Sequence, residues 1–303
     1  MVEVTQARAP SYSDGRHPTA LRLEKYHGLG NDFLVLVDLA DELDVGPSAA
    51  RLLCDRRRGI GADGIIRVFS GAASGADYTM VLRNADGTRA EMSGNGIRCL
   101  ARALVDLGVE KSDRFIIATG AGPRRVVMES DSTVTVAMGM ARVFEVSGSS
   151  QWPTMGIDMG NPHAVIRVDD VSTVDLDSVA AHWGGTLNVE VVALGPRLKN
   201  SEPTVGPGGG PMPLAVDHVV TMRVHERGVG ETMACGTGAA AAAFAFRQWG
   251  LVGEWVTVEQ PGGRVEVDLS GPEVLLRGPA LRVATVCVSE PPRPQPMDGW
   301  PWR

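Results

Sequence analysis

Lysine is scarce in this chain of 303 residues: Lys25, Lys111 and Lys199 stand among 29 basic residues. So few lysines argue against a Schiff-base enzyme using pyridoxal phosphate. Cysteine is also sparse. Cys54, Cys99, Cys235 and Cys287 lie far apart and form no CxxC, which argues against zinc and against a disulfide framework. Positive charge is not in excess. A formal charge of −7 argues against a general nucleic-acid binder but leaves room for an acidic small molecule. No apolar run reaches the roughly 20 residues of a membrane span. The first 20 residues lack the apolar core of a secretory signal. A reducing cytoplasm is the expected compartment, and a thiol-dependent enzyme needs one.

The chain is long enough for two domains with substantial cores, and 44% hydrophobic content is ordinary for a soluble protein. Residues 1–20 and 291–303 read as a flexible leader and a flexible tail, without periodicity and broken by proline. Strand-like runs dominate the rest: 33–37, 64–68, 133–136, 164–168, 219–224, 256–258, 265–267 and 283–286. Helical candidates are fewer: Ser48–Arg57, Gly96–Leu107, Val174–Trp183 and Gly238–Trp249. Few helices among many short strands predict an α+β fold.

Two segments look like copies. Ser93-Gly94-Asn95-Gly96 and Cys235-Gly236-Thr237-Gly238 each place a small nucleophile before Gly-x-Gly and then enter a helix-forming stretch. Gly30-Asn31 and Gly160-Asn161 repeat at a similar offset, as do Asn84 and Glu226 upstream of the two nucleophiles. The pattern predicts duplicated halves, 21–150 and 151–280, meeting near Ser147–Pro153. The Gly- and Pro-dense stretch Lys199–Pro213 reads as an inserted surface loop.

Helices that open this way present free backbone N–H groups and a positive dipole end, which hold a carboxylate. Two facing openings would grip one carboxylate and set a reactive side chain on either side of the neighbouring carbon. That is the geometry of a two-base racemase. Taken alone, Cys235 could be a packed cysteine and Ser93 a plain N-cap; the flanking glycines and the pairing favour reaction. Cys99 reads as packed. Glu226 could exchange a proton with the thiol, and Arg227 could make a bidentate contact to a carboxylate. His163, on the bend Asn161-Pro162-His163, is a candidate proton partner. Asn31, Asn84 and Asn188 are turn residues singly, but with Arg227 they would form a polar pocket for a zwitterion. A phosphate-binding role for the glycine turns is disfavoured, because neither has P-loop or dinucleotide-fingerprint spacing.

Leu23–Phe33, Arg58–Gly64, Arg83–Gly87, Ser93–Gly96, Met159–His163, Asn188–Glu190, Glu226–Gly228 and Glu231–Gly238 together resemble diaminopimelate epimerase. That family interconverts LL- and meso-diaminopimelate without a cofactor, in the supply of lysine and peptidoglycan precursors. The resemblance implies two pseudo-symmetric domains, each a curled, mostly antiparallel sheet around a central helix, with the active site in the interdomain cleft. It implies a final strand, about 281–290, returning to the first domain, and a homodimer. It also implies that Asn31, Asn84, Asn161, Asn188, Glu226 and Arg227 hold the diamino dicarboxylic substrate, with Arg227 on the distal carboxylate. The backbones of Gly94, Asn95, Gly236 and Thr237 would hold the carboxylate at the reacting carbon, and His163 and Glu226 would assist Ser93 and Cys235. Neither a nucleic acid nor a membrane is an expected partner, and no metal is expected.

The sequence departs from the family at Ser93, where the family pattern carries its other catalytic cysteine. A thiol near pKa 8.5 forms a thiolate beside a base; a hydroxyl needs far stronger activation. The expectation is a chain that binds substrate but epimerises slowly, with one-sided proton exchange. Ser93 is either an engineered change or a natural serine/cysteine variant of the kind found in the related proline racemase group. The rival readings are a racemase of histidine, proline or hydroxyproline, and a silent diamino-acid-binding homologue. Against the proline type, Gly94-Asn95-Gly96 replaces its usual Gly-His-Gly.

Overall fold

The computed structural model describes residues 21–146, 151–195 and 219–288. The leader, the tail, most of the Ser147–Pro153 boundary and the Lys199–Pro213 loop lie wholly or largely outside the described residues.

Each half repeats one order of elements. In the first, β1 (Leu21–Gly28) turns back into β2 (Asn31–Val37); α1 (Pro47–Cys54), β3 (Gly64–Ser70), β4 (Tyr78–Asn84) and the short β5 (Arg89–Ala90) follow. Then come the long helix α2 (Gly94–Asp106), β6 (Arg114–Thr119), β7 (Gly122–Met128), β8 (Val134–Gly139) and β9 (Arg142–Phe144). The second half runs β10 (Thr154–Asp158), β11 (Pro162–Arg167), α3 (Leu176–Ala181), β12 (Asn188–Leu194), β13 (Val219–Glu226) and β14 (Gly230–Thr232). Helix α4 (Gly236–Gln248), β15 (Trp255–Gln260), β16 (Gly263–Asp268), β17 (Val274–Gly278) and β18 (Leu281–Val288) complete it.

The pairings repeat as well. β2 runs parallel to β3 as β11 does to β12, and β4 parallel to β6 as β13 does to β15. The other neighbours are antiparallel, which gives two pseudo-symmetric, mostly antiparallel sheets in an α+β fold. Three antiparallel pairings join the halves: β9 with β10, β8 with β17, and β18 with β1. Glu24, buried on β1, clamps the last of these by accepting from Arg282 at 2.8 Å and Thr285 Oγ1 at 2.8 Å.

The helices are the cores. α4 is buried almost all round: Ala239–Ala243, Ala245 and Phe246 have no exposed surface. A helix apolar on every face must be enclosed, and alanines let the strands close in tightly. α2 buries Ile97, Cys99, Leu100, Ala101, Ala103 and Leu104 in the same way.

Element ends shift from the sequence expectation for local reasons. The first helix stops at Cys54, three residues short of Arg57, because the Asp55 carboxylate accepts from the backbone N–H groups of Arg57 and Arg58 at 2.8 Å and turns the chain. Helices α2 and α4 start two residues earlier than expected, since Gly94 and Gly236 are already helical. Strands β1, β4, β7 and β12 escape the apolar-run reading because charged or small polar residues interrupt them.

Candidate active site

Ser93 and Cys235 are the N-caps of α2 and α4. Both have extended backbones, with φ/ψ of −145°/119° and −125°/118°. Ser93 Oγ accepts from the Gly96 N–H at 3.0 Å, and Cys235 Sγ from the Gly238 N–H at 3.3 Å. The backbone carbonyls of Ser93 and Cys235 take the Ile97 and Ala239 N–H groups. In each helix the two N–H groups before these, of Gly94 and Asn95 and of Gly236 and Thr237, stand outside the helical ladder.

The two helix starts abut. A methyl group on Gly236 would lie 3.1 Å from Gly94 Cα and 3.4 Å from the Asn95 nitrogen; one on Gly94 would lie 3.3 Å from Gly236 Cα. A side chain at either position would crowd the facing backbone and the ends of the neighbouring side chains, Leu276 at both positions and Met138 at Gly94. The positive ends of two helix dipoles therefore converge on one place, an arrangement that an anion stabilises. Gly94→Ala wedges this junction apart. We expect kcat/KM to fall about tenfold through misalignment of the amides, with about 1–3 kcal/mol lost in stability, read by steady-state kinetics and urea unfolding.

Behind Cys235 stands a set of acid–base groups. Glu226, at the end of β13, lies near the Cys235 thiol and accepts from Thr232 Oγ1 at 2.6 Å. Burial raises the Glu226 carboxyl above its ordinary range, and the nearby Glu190 carboxylate adds to this. Burial, then Glu226 and Glu190, pushes the Cys235 thiol well up. A polar chain also leaves Cys235. Its Sγ lies 3.4 Å from Thr237 Oγ1, which takes Asn161 Nδ2 at 3.3 Å. Asn161 Oδ1 lies 3.1 Å from His163 Nε2, and His163 Nδ1 lies 2.7 Å from Glu190 Oε1. His163 and Glu190 are both fully buried. The carboxylate thus holds the imidazole in one orientation.

Among the described residues the Ser93 side has no such set at the matching strand positions. Val35 pairs with Ile66 where Val165 pairs with Glu190, so Phe33 and Ile66 occupy the places of His163 and Glu190. A methyl on Gly96 would meet Ile66 Cδ1 at 3.3 Å, whereas one on Gly238 would meet Glu190 Oε1 at 2.6 Å. Asn84 stands in the place of Glu226 and turns into its own hairpin, donating to Thr88 Oγ1 at 3.1 Å. Among the described residues no hydrogen bond joins Ser93 to His163.

The remaining polar side chains differ in how they reach this centre. Asn31 accepts from Asn95 Nδ2 at 3.1 Å and donates to Asp63 at 2.8 Å. Asn188 donates to the Pro162 carbonyl at 3.1 Å and accepts from the Arg227 N–H at 3.0 Å, placing the exposed Arg227 at the loop after β13. Three neighbours of the site carried no assigned role in the sequence reading: Glu190, Asp63 and Gln260, whose Oε1 takes the Cys235 N–H at 2.8 Å. Glu190 was visible as one acid in a valine-rich strand, a pattern that signals a buried partner.

Known proteins with the same architecture include a Bacillus anthracis phenazine biosynthesis protein of the PhzF family, with TM-score 0.67 and 15% identity over 89% of this chain and 99% of that one. A hydroxyproline epimerase from Agrobacterium vitis gives TM-score 0.65 and 15% identity over 90% and 93%. At such identities the likeness extends to the fold alone. In sequence, the diaminopimelate epimerase of Mycobacteroides abscessus is 39% identical over 89% of this chain and 97% of its own length. The diaminopimelate epimerase of Mycolicibacterium smegmatis is 39% identical over 86% and 94%. With the diaminopimelate epimerase family model matching residues 23–144 and 155–283, the chain belongs to that family.

Proposed function

We propose that this protein interconverts LL- and meso-diaminopimelate by two-base proton transfer at Cα. The abutting helix starts carry this reading. A carboxylate seated on the amides of Gly94, Asn95, Gly236 and Thr237 puts its own Cα between Ser93 Oγ and Cys235 Sγ. One of these groups removes the α-proton and the other delivers a proton to the opposite face. Negative charge then moves onto the carboxylate, where fixed N–H groups and both dipoles stabilise it. Glu226 takes the proton of the thiol as the thiolate forms, and His163 tunes the same side through Asn161 and Thr237. Asn31, Asn84, Asn161, Asn188 and Arg227 hold the rest of the substrate, Arg227 on the distal carboxylate. Ser93, with apolar residues behind it, is the weak base, so turnover is slow and exchange is one-sided. The enzyme works without pyridoxal phosphate, as a cytoplasmic homodimer, in lysine and peptidoglycan precursor supply.

The test is incubation with LL- or meso-diaminopimelate in deuterated water, following epimerisation and α-deuterium uptake together. Uptake at one carbon, with slower epimerisation, is the expected result. No uptake from either isomer, with racemisation of proline, hydroxyproline or histidine instead, overturns the reading.

A further inference from the structure

Arg98 has the largest side chain that is wholly enclosed among the described residues, with no exposed surface. It lies one turn into α2. Its guanidinium donates to Asn95 Oδ1 at 2.7 Å, to the Gly94 carbonyl at 3.3 Å and to the Pro279 carbonyl at 3.4 Å. All three acceptors are neutral, and among the described residues no carboxylate pairs with it. Burial lowers its ionisation to about 10, so it stays charged at neutral pH. A buried charge without a counter-ion is costly, and packing α2 does not require one. The matching position in α4 is Ala240, whose helix closes over alanines.

What Arg98 grips is informative. The Asn95 amide that it holds donates from Nδ2 to Asn31 Oδ1 at 3.1 Å and to the carbonyl of Ala234, next to Cys235, at 3.2 Å. Arg98 therefore sits beneath the point where the two helix starts meet, and it holds the side chain that ties them. Beside Cys235, at the start of the partner helix α4, stand Glu226 and Glu190. Any carboxylate entering the junction is repelled by these two acids, and Arg98 is the positive charge placed to offset them.

We propose that Arg98 is a positioning residue that aims the α2 amides through Asn95 and is the buried counter-charge for the carboxylate at the reacting carbon. This rests on the epimerase reading of the site. Charge on that carboxylate grows as the α-proton leaves, so Arg98 acts on kcat more than on KM.

The test compares two alkylating reagents of nearly equal size, iodoacetate and iodoacetamide, at Cys235, by peptide mapping of the full chain. The exposed Cys287 is the internal reference. Both reagents need the thiolate, so changes in thiol acidity cancel in their rate ratio, and only iodoacetate carries the carboxylate. In the native chain the iodoacetate-to-iodoacetamide ratio should be at least tenfold higher at Cys235 than at Cys287. Arg98→Gln should remove at least fivefold of that preference and lower kcat tenfold or more, with KM changed under threefold. A role confined to packing would slow both reagents equally and leave the ratio intact. Arg98→Lys restores a charge that, being buried, loses its proton at alkaline pH. Its ratio should match the native one near neutrality and fall as pH rises, while the native ratio stays level. An unchanged ratio in Arg98→Gln overturns the proposal. Should that variant not fold, an Arg98→Lys ratio that tracks the native one at every pH overturns it. A Cys235 that neither reagent reaches overturns it too. The alkylation ratio does not depend on turnover, so a chain that ignores diaminopimelate sinks the functional reading separately.

Discussion

Exchanging Ser93 for cysteine should raise the rate of epimerisation by about 10²–10⁴-fold, the usual worth of a positioned acid–base group. The cap geometry already suits a thiol, because Cys235 holds the same extended backbone and the same bond to the third helical N–H. At that position the helix dipole favours a thiolate. A serine hydroxyl gains far less, and its surroundings cannot make up the difference. Phe33 and Ile66 stand where His163 and Glu190 stand on the other side, so among the described residues these two strand positions offer Ser93 no base. The measurement is turnover of both stereoisomers beside the native chain, with deuterium uptake followed at each. The Ser93→Cys chain should epimerise and exchange in step, whereas the native chain exchanges ahead of epimerisation. A native chain that already turns over both isomers at the rate of its Ser93→Cys variant removes the claim that serine weakens one base.

Glu226→Gln should abolish most activity and stabilise the fold at neutral pH. Glutamine keeps an acceptor for Thr232 Oγ1 but cannot take the proton of the Cys235 thiol, so kcat should fall about 10²–10⁴-fold. The stability effect follows from the raised carboxyl. Its ordinary value is 4.5, and burial with the neighbouring Glu190 lifts it in the folded chain. Below the unfolded value both states are protonated and the full contribution of the group to stability is present. As pH rises through the folded value, the native state must ionise a buried carboxyl and that contribution is lost. Glutamine does not titrate. Its melting temperature should therefore exceed the native one at neutral pH, and the gap should close as pH falls below the unfolded value. A gap that is the same at acid and neutral pH would show that Glu226 titrates as an exposed carboxylate does.

Much of the fold is legible locally. The two Gly-x-Gly caps, the Gly-Asn pair in each half and the alanine run of α4 mark the duplication and the central helices, because cap and enclosure requirements act within a few residues. Strands were harder to read. β12 carries Asn188 and Glu190 amid valines, and β1 carries Glu24 and Lys25, so their periodicity hides until each charge finds its partner in space. Helix ends moved by two or three residues wherever a side chain such as Asp55 captured backbone N–H groups.

Sequence by itself determined the family, the duplicated halves, the two helix caps Ser93 and Cys235 and the polar residues near them, since each is written in a short motif with its own local physics. Only the tertiary structure decided that the buried set of titratable side chains lies on one side. His163, Glu190 and Glu226 reach Cys235 through the pairing of β11, β12 and β13, while the same pairing in the other half brings Phe33 and Ile66 behind Ser93. Strand register, which sets what lies behind each cap, joins residues too far apart in the chain for any local pattern to record.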